Sequence, residues 1–345
     1  YRKVPRAGLE DLHLSLGVPT GVGERWCGVR MAHLPQSKVP VYFLEHDALY
    51  DRDGFYGTTD YPWWDNCLRF TVLSRGALQL CHALNWYPDV INANDWQTGL
   101  VPAFLNVVER GSPLHRAASV FTIHNLGYQG RFPAPQFGVT GLPWEMFTFL
   151  DFEYWDEVNL LKGALTHSTL LSTVSPGYAR EIQTPAFGEG LDPILRERAG
   201  DLHGILNGID LVEWDPTTDP HIPHHFSASD PSGKGLCKAA LQRELGLPVR
   251  DDIPLVGIVT RFAWQKGIDV LAEVMPRLLA LPLQMVVVGS GEAWAEKFFG
   301  ELQAEFPGNY RGIIQFNTGL AHRVEAGADL YLMPSRYEPC GLNQM

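Results

Sequence analysis

Ala328-Asp329-Leu330-Tyr331-Leu332-Met333-Pro334-Ser335-Arg336-Tyr337-Glu338-Pro339-Cys340-Gly341-Leu342-Asn343-Gln344 is the stretch whose reading decides the fold. Residues 328–333 form a short apolar run of the kind a buried parallel strand shows, and the run stops at Pro334, which has no N–H to give a ladder. A carboxylate, Glu338, and a Gly341-Leu342 turn follow, and such a turn opens a helix. In an open parallel sheet, ligands bind beyond the carboxyl ends of the strands, and a helix N-terminus there offers unpaired N–H groups to an anion. The stretch predicts an α/β protein with Glu338 beside a site able to hold a phosphate.

Working back from it, strand and helix patterns alternate. Helices are predicted over 238–245, 268–281 and 292–306, and strands over 254–260, 284–288, 312–316 and 328–333. An earlier series has helices over 68–84 and 97–109, strands over 88–93, 118–123 and 169–174, a helix capped by Ser175 running to 182, and a strand and turn over 204–210. Alternation of this kind implies right-handed parallel units, so the polar pairs Asn94-Asp95 and His124-Asn125 end successive strands on one rim of a sheet. Between the two series, residues 215–235 carry four prolines, the histidines His221, His224 and His225, and no apolar period, which reads as a linker or surface excursion. On such a Pro-flanked loop the histidines read as solvated rather than metal-binding. The expected division is a first domain over 1–212, a linker over 213–236 and a second domain over 237–345, with a ligand cleft between two open sheets. Residues 1–65 are rich in Gly, Pro and aromatics and yield one clear strand, 39–44. Residues 54–64 form a loop dense in Tyr, Trp and Asp, suited to stacking a sugar, the alternative being a packed irregular loop.

Composition bounds the function. A chain of 345 residues, 45% hydrophobic and 19% charged, is globular and long enough for about two domains. A net charge of -12 without a basic run argues against a nucleic-acid partner, so an anionic ligand needs a local basic pocket. Cys27, Cys67, Cys81, Cys237 and Cys340 are odd in number and form no C-x-x-C pair, which fits a reducing cytoplasm better than a disulfide framework. The most apolar stretch, 278–288, is interrupted by Pro282 and Gln284 and is too short to span a membrane. With Tyr1 at its start and Met345 inside a predicted helix, the sequence reads as a fragment at both ends.

Three constellations carry chemistry. In Thr260-Arg261-Phe262-Ala263-Trp264-Gln265-Lys266-Gly267, the cations Arg261 and Lys266 can converge on one anion from a strand-end turn, as a diphosphate leaving group requires; the alternative is two solvated charges. Val286-Val287-Val288-Gly289-Ser290-Gly291-Glu292 has two glycines of a dinucleotide loop but Trp294 where the third belongs, so a hydride-transfer cofactor is weakly supported. Asp95, His124 and Asn207 end strands of the first series and together look like partners for sugar hydroxyls. Singly they read as a helix cap, a hydrogen-bonded core histidine and an ordinary turn residue.

Residues 121–130 (Phe121-Thr122-Ile123-His124-Asn125-Leu126-Gly127-Tyr128-Gln129-Gly130), Asn207-Gly208-Ile209-Asp210, the Arg261 to Gly267 block and the Ser335 to Leu342 block together resemble the bacterial glycogen synthases and plant starch synthases. The resemblance runs over nearly the whole chain. It implies a GT-B fold of two Rossmann-like domains and retaining transfer of glucose from ADP-glucose to the non-reducing 4-hydroxyl of an α-1,4-glucan. It further implies no cofactor, no metal in the chemical step, no nucleic-acid or membrane partner, and a cytoplasmic location, or a plastid one in a plant. It assigns Arg261 and Lys266 to the donor diphosphate and Glu338 to the donor glucose, with His124 beside the transferred sugar. Gly341 and Leu342 supply backbone N–H groups to phosphate, and Cys340 and Asn207 line the donor pocket. Asp95, Asn125, Trp63, Asp65 and Asn66 fall on the acceptor or sugar side. The sequence departs from the family pattern in four places. The Lys-x-Gly-Gly-Leu loop and the later part of the second domain are absent, Asn92-Ala93-Asn94-Asp95 replaces a commoner His-containing version, and Trp63-Trp64 stands where an acceptor-side Tyr is common. The alternative classes are a non-catalytic glucan- or nucleotide-sugar-binding protein and a nucleotide-sugar epimerase. A glycosidase is disfavoured because no nucleophile and acid carboxylate pair follows from spacing.

Overall fold

The computed structural model describes residues 4–58 and 61–345; Thr59 and Asp60 of the aromatic loop lie outside the described residues. The chain divides into two compact units, the first ending at Asn207 and the second running Gly208–Met345.

In unit 1, strands β1 (Glu10–Val18), β2 (Arg25–His33) and β3 (Pro40–Glu45) form an antiparallel sheet in that order. Only β3 was expected. In β1, Leu12, Leu14, Leu16 and Val18 do alternate with polar neighbours, and Leu16 and Val18 are buried with Cys27 and Val29 of β2 against Val72 and Leu80 of the long helix α2 (Asn66–Ala83), which follows the single turn α1 (Asp47–Tyr50). Then come β4 (Val90–Asn94), α3 (Val101–Val107), β5 (Ala118–Ile123), β6 (Arg131–Pro133), β7 (Glu153–Tyr154), β8 (Glu157–Asn159), α4 (Leu160–His167), β9 (Leu170–Thr173), α5 (Pro176–Glu181), α6 (Asp192–Glu197) and β10 (Leu202–Gly204). Strands β10-β9-β5-β4 form a parallel sheet, and β6-β8-β7 a small antiparallel one. The helix expected over 97–109 is split, a 3-10 turn at Trp96–Thr98 preceding α3, whose first turn holds Pro102, a position where the missing N–H costs nothing. Ser175 caps α5 as expected, accepting from the Tyr178 N–H at 2.9 Å. The last strand falls earlier than the predicted 204–210, leaving Asn207 beyond its end.

Unit 2 is built from α7 (Ser232–Glu244), β11 (Leu255–Phe262), α8 (Ile268–Leu279), β12 (Gln284–Gly291), α9 (Ala293–Glu301), β13 (Tyr310–Ile313), α10 (Thr318–Gly327) and β14 (Leu330–Tyr331), with a parallel sheet ordered β13-β12-β11-β14. Both faces of the sheet are covered: Ile258, Met285 and Val287 meet Met275 and Phe299 on one side, and Val286 and Val288 meet Leu241 and Val324 on the other. Helix α10 was not expected; Asn317 caps it, accepting from the Leu320 N–H. The predicted surface excursion packs into unit 2. His322 of α10 is buried, its Nδ1 lies 2.7 Å from a carboxylate oxygen of buried Asp219, and the Trp214 ring stacks on it at 3.7 Å and 10°. A buried imidazole needs a partner, and the 213–231 segment supplies one. His221 sits against the same ring, and among the described residues no group of metal-ligating side chains gathers there. No helix among the described residues is long and apolar enough to cross a membrane.

Candidate active site

In unit 2, three chain segments meet at the carboxyl ends of neighbouring strands, because β11 pairs in parallel with both β12 and β14. Strand β11 runs through Arg261, whose side chain is exposed and takes no hydrogen bond or ion pair among the described residues. A 3-10 turn, Trp264–Lys266, follows and ends at Gly267 in the left-handed region, φ 66°. Gly267 lies so close to the segment after β14 that a Cβ there would stand 2.1 Å from the Pro334 carbonyl oxygen. The two turns therefore touch, and Lys266 Nζ lies 2.6 Å from Glu338 Oε1. The Ser335 hydroxyl donates to the same oxygen at 2.6 Å, while Oε2 takes no hydrogen bond among the described residues. Arg261, Lys266 and Glu338 stand at the rim where the sequence places them, and Lys266 and Glu338 bind each other there, a pairing nothing in the sequence marks. The segment past Glu338 holds half-buried Cys340, a free cysteine, and buried Gly341, and the helix expected to open there is a 3-10 turn at Leu342–Gln344.

The glycine turn after β12 is occupied by carboxylates. Glu296 accepts from the Gly291 N–H at 2.8 Å, and Glu292 accepts from the Trp264 N–H at 2.9 Å and from the Trp294 indole at 2.6 Å. The Gly291 amide, one of those a dinucleotide loop would turn toward a pyrophosphate, is thus already taken.

In unit 1, Asp95 follows β4 with φ 55° and ψ 178°, a region that residues with a side chain rarely adopt and that costs of order 1–3 kcal/mol. It caps no helix; its carboxylate instead accepts the His124 backbone N–H at 2.8 Å, tying the ends of β4 and β5 together. Burial pushes this carboxyl above the usual carboxylate range, opposed by the His124 N–H. The His124 side chain is no core histidine: it is exposed, with Nε2 2.9 Å from Asn94 Oδ1, and Asn94 in turn donates to Asn92. Asn125 accepts from the Gly127 N–H, and half-buried Asn207 stands at the end of the unit.

The aromatic loop is held from beneath. Asp65, 5% exposed, is gripped by both terminal nitrogens of Arg52 at 2.6 and 2.7 Å, and the Arg52 guanidinium lies 5.3 Å over the Trp63 ring. Buried Asn66 donates to the Tyr56 carbonyl and accepts from Arg69. Asp65 and Asn66, expected on the sugar side, thus turn their polar groups into the protein. The most exposed rings here are those of Tyr61 and Trp64, the latter 82% exposed, with Phe55 and Tyr56 exposed beside them in the sequence. Arg52 and Arg69, the residues that orient the loop, went unread because nothing local marks them. A cavity of about 440 Å³ in the same unit, lined by residues such as Arg6, Tyr42, His46 and Tyr50, contains none of the predicted site residues.

A cation pair and a carboxylate at the strand ends of a Rossmann-like unit, joined in one chain to a second parallel unit, define an α/β protein of the GT-B class. A family profile described as "Starch synthase catalytic domain" matches residues 1–197, and one described as "Glycosyl transferases group 1" matches 253–345. "Glycogen synthase 1" of Geobacter sulfurreducens is 52% identical over 99% of this chain and 68% of its own length. "Glycogen synthase" of Anaeromyxobacter dehalogenans is 50% identical over 98% of this chain and 70% of its own. The solved catalytic domain of starch synthase IV from Arabidopsis thaliana, bound to ADP and acarbose, superposes with a TM-score of 0.88 at 32% identity, covering 99% of this chain and 70% of that one. The chain belongs to the glycogen and starch synthase family.

Proposed function

We propose that the full gene product transfers glucose from ADP-glucose to the non-reducing 4-hydroxyl of an α-1,4-glucan with retention, in the cytoplasm and without a metal in the chemical step. The observation that carries this reading is the convergence of Arg261, Lys266 and Glu338 on one rim of the unit 2 sheet. As the bond from the glucose C1 to the β-phosphate oxygen breaks, its electron pair leaves with the diphosphate, and Arg261 and Lys266 stabilise the charge that develops. Glu338 Oε2 accepts from a hydroxyl of the donor glucose and orients the ring. The new bond forms between C1 and the acceptor oxygen, whose proton leaves with the departing ADP. Cys340 lines the pocket, Gly341 and Leu342 offer backbone N–H groups to phosphate, and Asn207 serves the donor. His124, Asp95 and Asn125 serve the sugar, and Trp63 and Trp64 the glucan.

The test is incorporation of radiolabelled glucose from ADP-glucose into a glycogen primer by the full gene product, run beside UDP-glucose. Glu338→Gln and Lys266→Ala are expected to lower turnover by about 100-fold or more while the variants stay folded. Normal turnover in either folded variant would overturn the role given to that residue. No incorporation by the parent would favour a binding-only protein.

A further inference from the structure

We infer that Arg336 is a positioning residue, which keeps the turn carrying Lys266 in register with the segment carrying Glu338 when the donor substrate draws that ion pair apart. The inference rests on the donor roles proposed above. Without substrate, Lys266 and Glu338 hold each other at 2.6 Å. Once a diphosphate takes the ammonium and a sugar hydroxyl competes for the carboxylate, their mutual bond no longer aligns the two turns. A second set of contacts does.

Arg336 stands two residues before Glu338, and its hydrogen bonds and ring contact among the described residues fall on Trp264, Gln265 and Asp269, which flank Lys266. Its backbone N–H donates to the Gln265 carbonyl at 2.9 Å. Nη1 donates to the Trp264 carbonyl at 2.8 Å and to Asp269 Oδ1 at 2.6 Å, Nη2 donates to Asp269 Oδ2 at 2.7 Å, and the guanidinium lies 4.4 Å over the Trp264 ring. Asp269 belongs to the first turn of α8, so the fork is anchored on a helix rather than on a loop. Neither Arg336 nor Asp269 is engaged with Lys266 or Glu338 directly, so the clamp persists whichever partner those two take. A planar fork, two parallel bonds and a stacked face are properties of arginine that lysine cannot reproduce.

The experiment measures Arg336→Lys and Asp269→Asn in the full gene product beside Glu338→Gln and Lys266→Ala, recording kcat, KM for ADP-glucose, KM for glycogen and the urea unfolding curve. Both clamp variants are expected to lose about tenfold or more in kcat/KM for ADP-glucose per folded molecule, with the KM for glycogen within about twofold of the parent. The double variant is expected to be no worse than the poorer single, since the two side chains act as one unit. If Arg336→Lys keeps the parent's kcat/KM while Glu338→Gln and Lys266→Ala lose theirs, the inference is overturned and the donor reading stands. A loss that only follows the unfolded fraction also overturns it, because a purely structural role does no more. Full activity in folded Glu338→Gln and Lys266→Ala overturns the donor reading itself.

Discussion

Replacing Gly267 by alanine tests how closely the two donor-side turns must approach. Gly267 has φ 66°, and an L-residue there costs about 1 kcal/mol. The larger effect is steric. The new Cβ would lie 2.1 Å from the Pro334 carbonyl oxygen and 2.9 Å from its carbon. An ordinary contact is about 3.4 Å, so the segments must part by roughly 1.3 Å. Backbone on both sides is tied, by Arg336 N–H to the Gln265 carbonyl and by the Asp269 fork, so the strain is expected to fall on the 2.6 Å Lys266–Glu338 pair. A displacement of about 1 Å at a reacting centre lowers rate about 100-fold, equivalent to about 2.7 kcal/mol of transition-state stabilisation. Backbone strain and overpacking together are expected to cost about 2–4 kcal/mol of stability. The assay is kcat/KM for ADP-glucose with a glycogen primer, paired with urea unfolding. Gly308→Ala is the control, since a Cβ there would meet no heavy atom within 4 Å beyond its own and adjacent residues, and it is expected to stay within about 0.5 kcal/mol of the parent. A folded Gly267→Ala enzyme within about threefold of parental kcat/KM would refute the argument that this approach sets the catalytic geometry.

Asp95→Asn is expected to be at least as stable as the parent at neutral pH. The Asp95 carboxyl is raised in the folded state, so its ionised form opposes folding above that raised value. The variant's advantage fades as pH falls through the ordinary carboxylate range near 3.8, where both states are protonated; urea unfolding against pH reads it, and an advantage that grows in acid would contradict the sign. Asp65→Ala leaves the Arg52 fork without its buried partner and is expected to cost about 2–4 kcal/mol and to raise the KM for glycogen as the Trp63 loop loosens, both absent if the pair is incidental. Asp219→Ala strands a buried imidazole, His322, and is expected to cost about 2–3 kcal/mol and to make residues 213–231 sensitive to limited proteolysis; resistance to cleavage would argue that Trp214 stacking alone holds the segment.

Much of the parallel architecture was legible because each buried strand writes its own burial into the sequence. Strand β5 spans the predicted 118–123, and β11 and β12 begin within a residue of expectation, all three being runs of branched or aromatic residues covered by helices. Strands β1 and β2 also carried a period of two, but exposed Trp26 and the surrounding glycines and prolines masked it. Helix α10 stayed hidden because its inner face includes His322, a residue that reads as polar until Asp219 is brought to it.

The sequence by itself determined which residues end strands, and therefore that Arg261, Lys266 and Glu338 belong to one rim and Asp95 and His124 to another. That information is local, since a strand's carboxyl end is marked by the loss of its apolar run. The tertiary structure alone decided what those side chains touch. Lys266 and Glu338 are 72 residues apart, and Arg336 and Asp269 are 67 apart, and only the pairing of β14 beside β11 brings them within hydrogen-bond reach. It also decided direction: the family resemblance puts Asp65 and Asn66 on the sugar side, yet Arg52 and Arg69 turn them inward, because a buried carboxylate or amide goes where its charge and hydrogen bonds are satisfied.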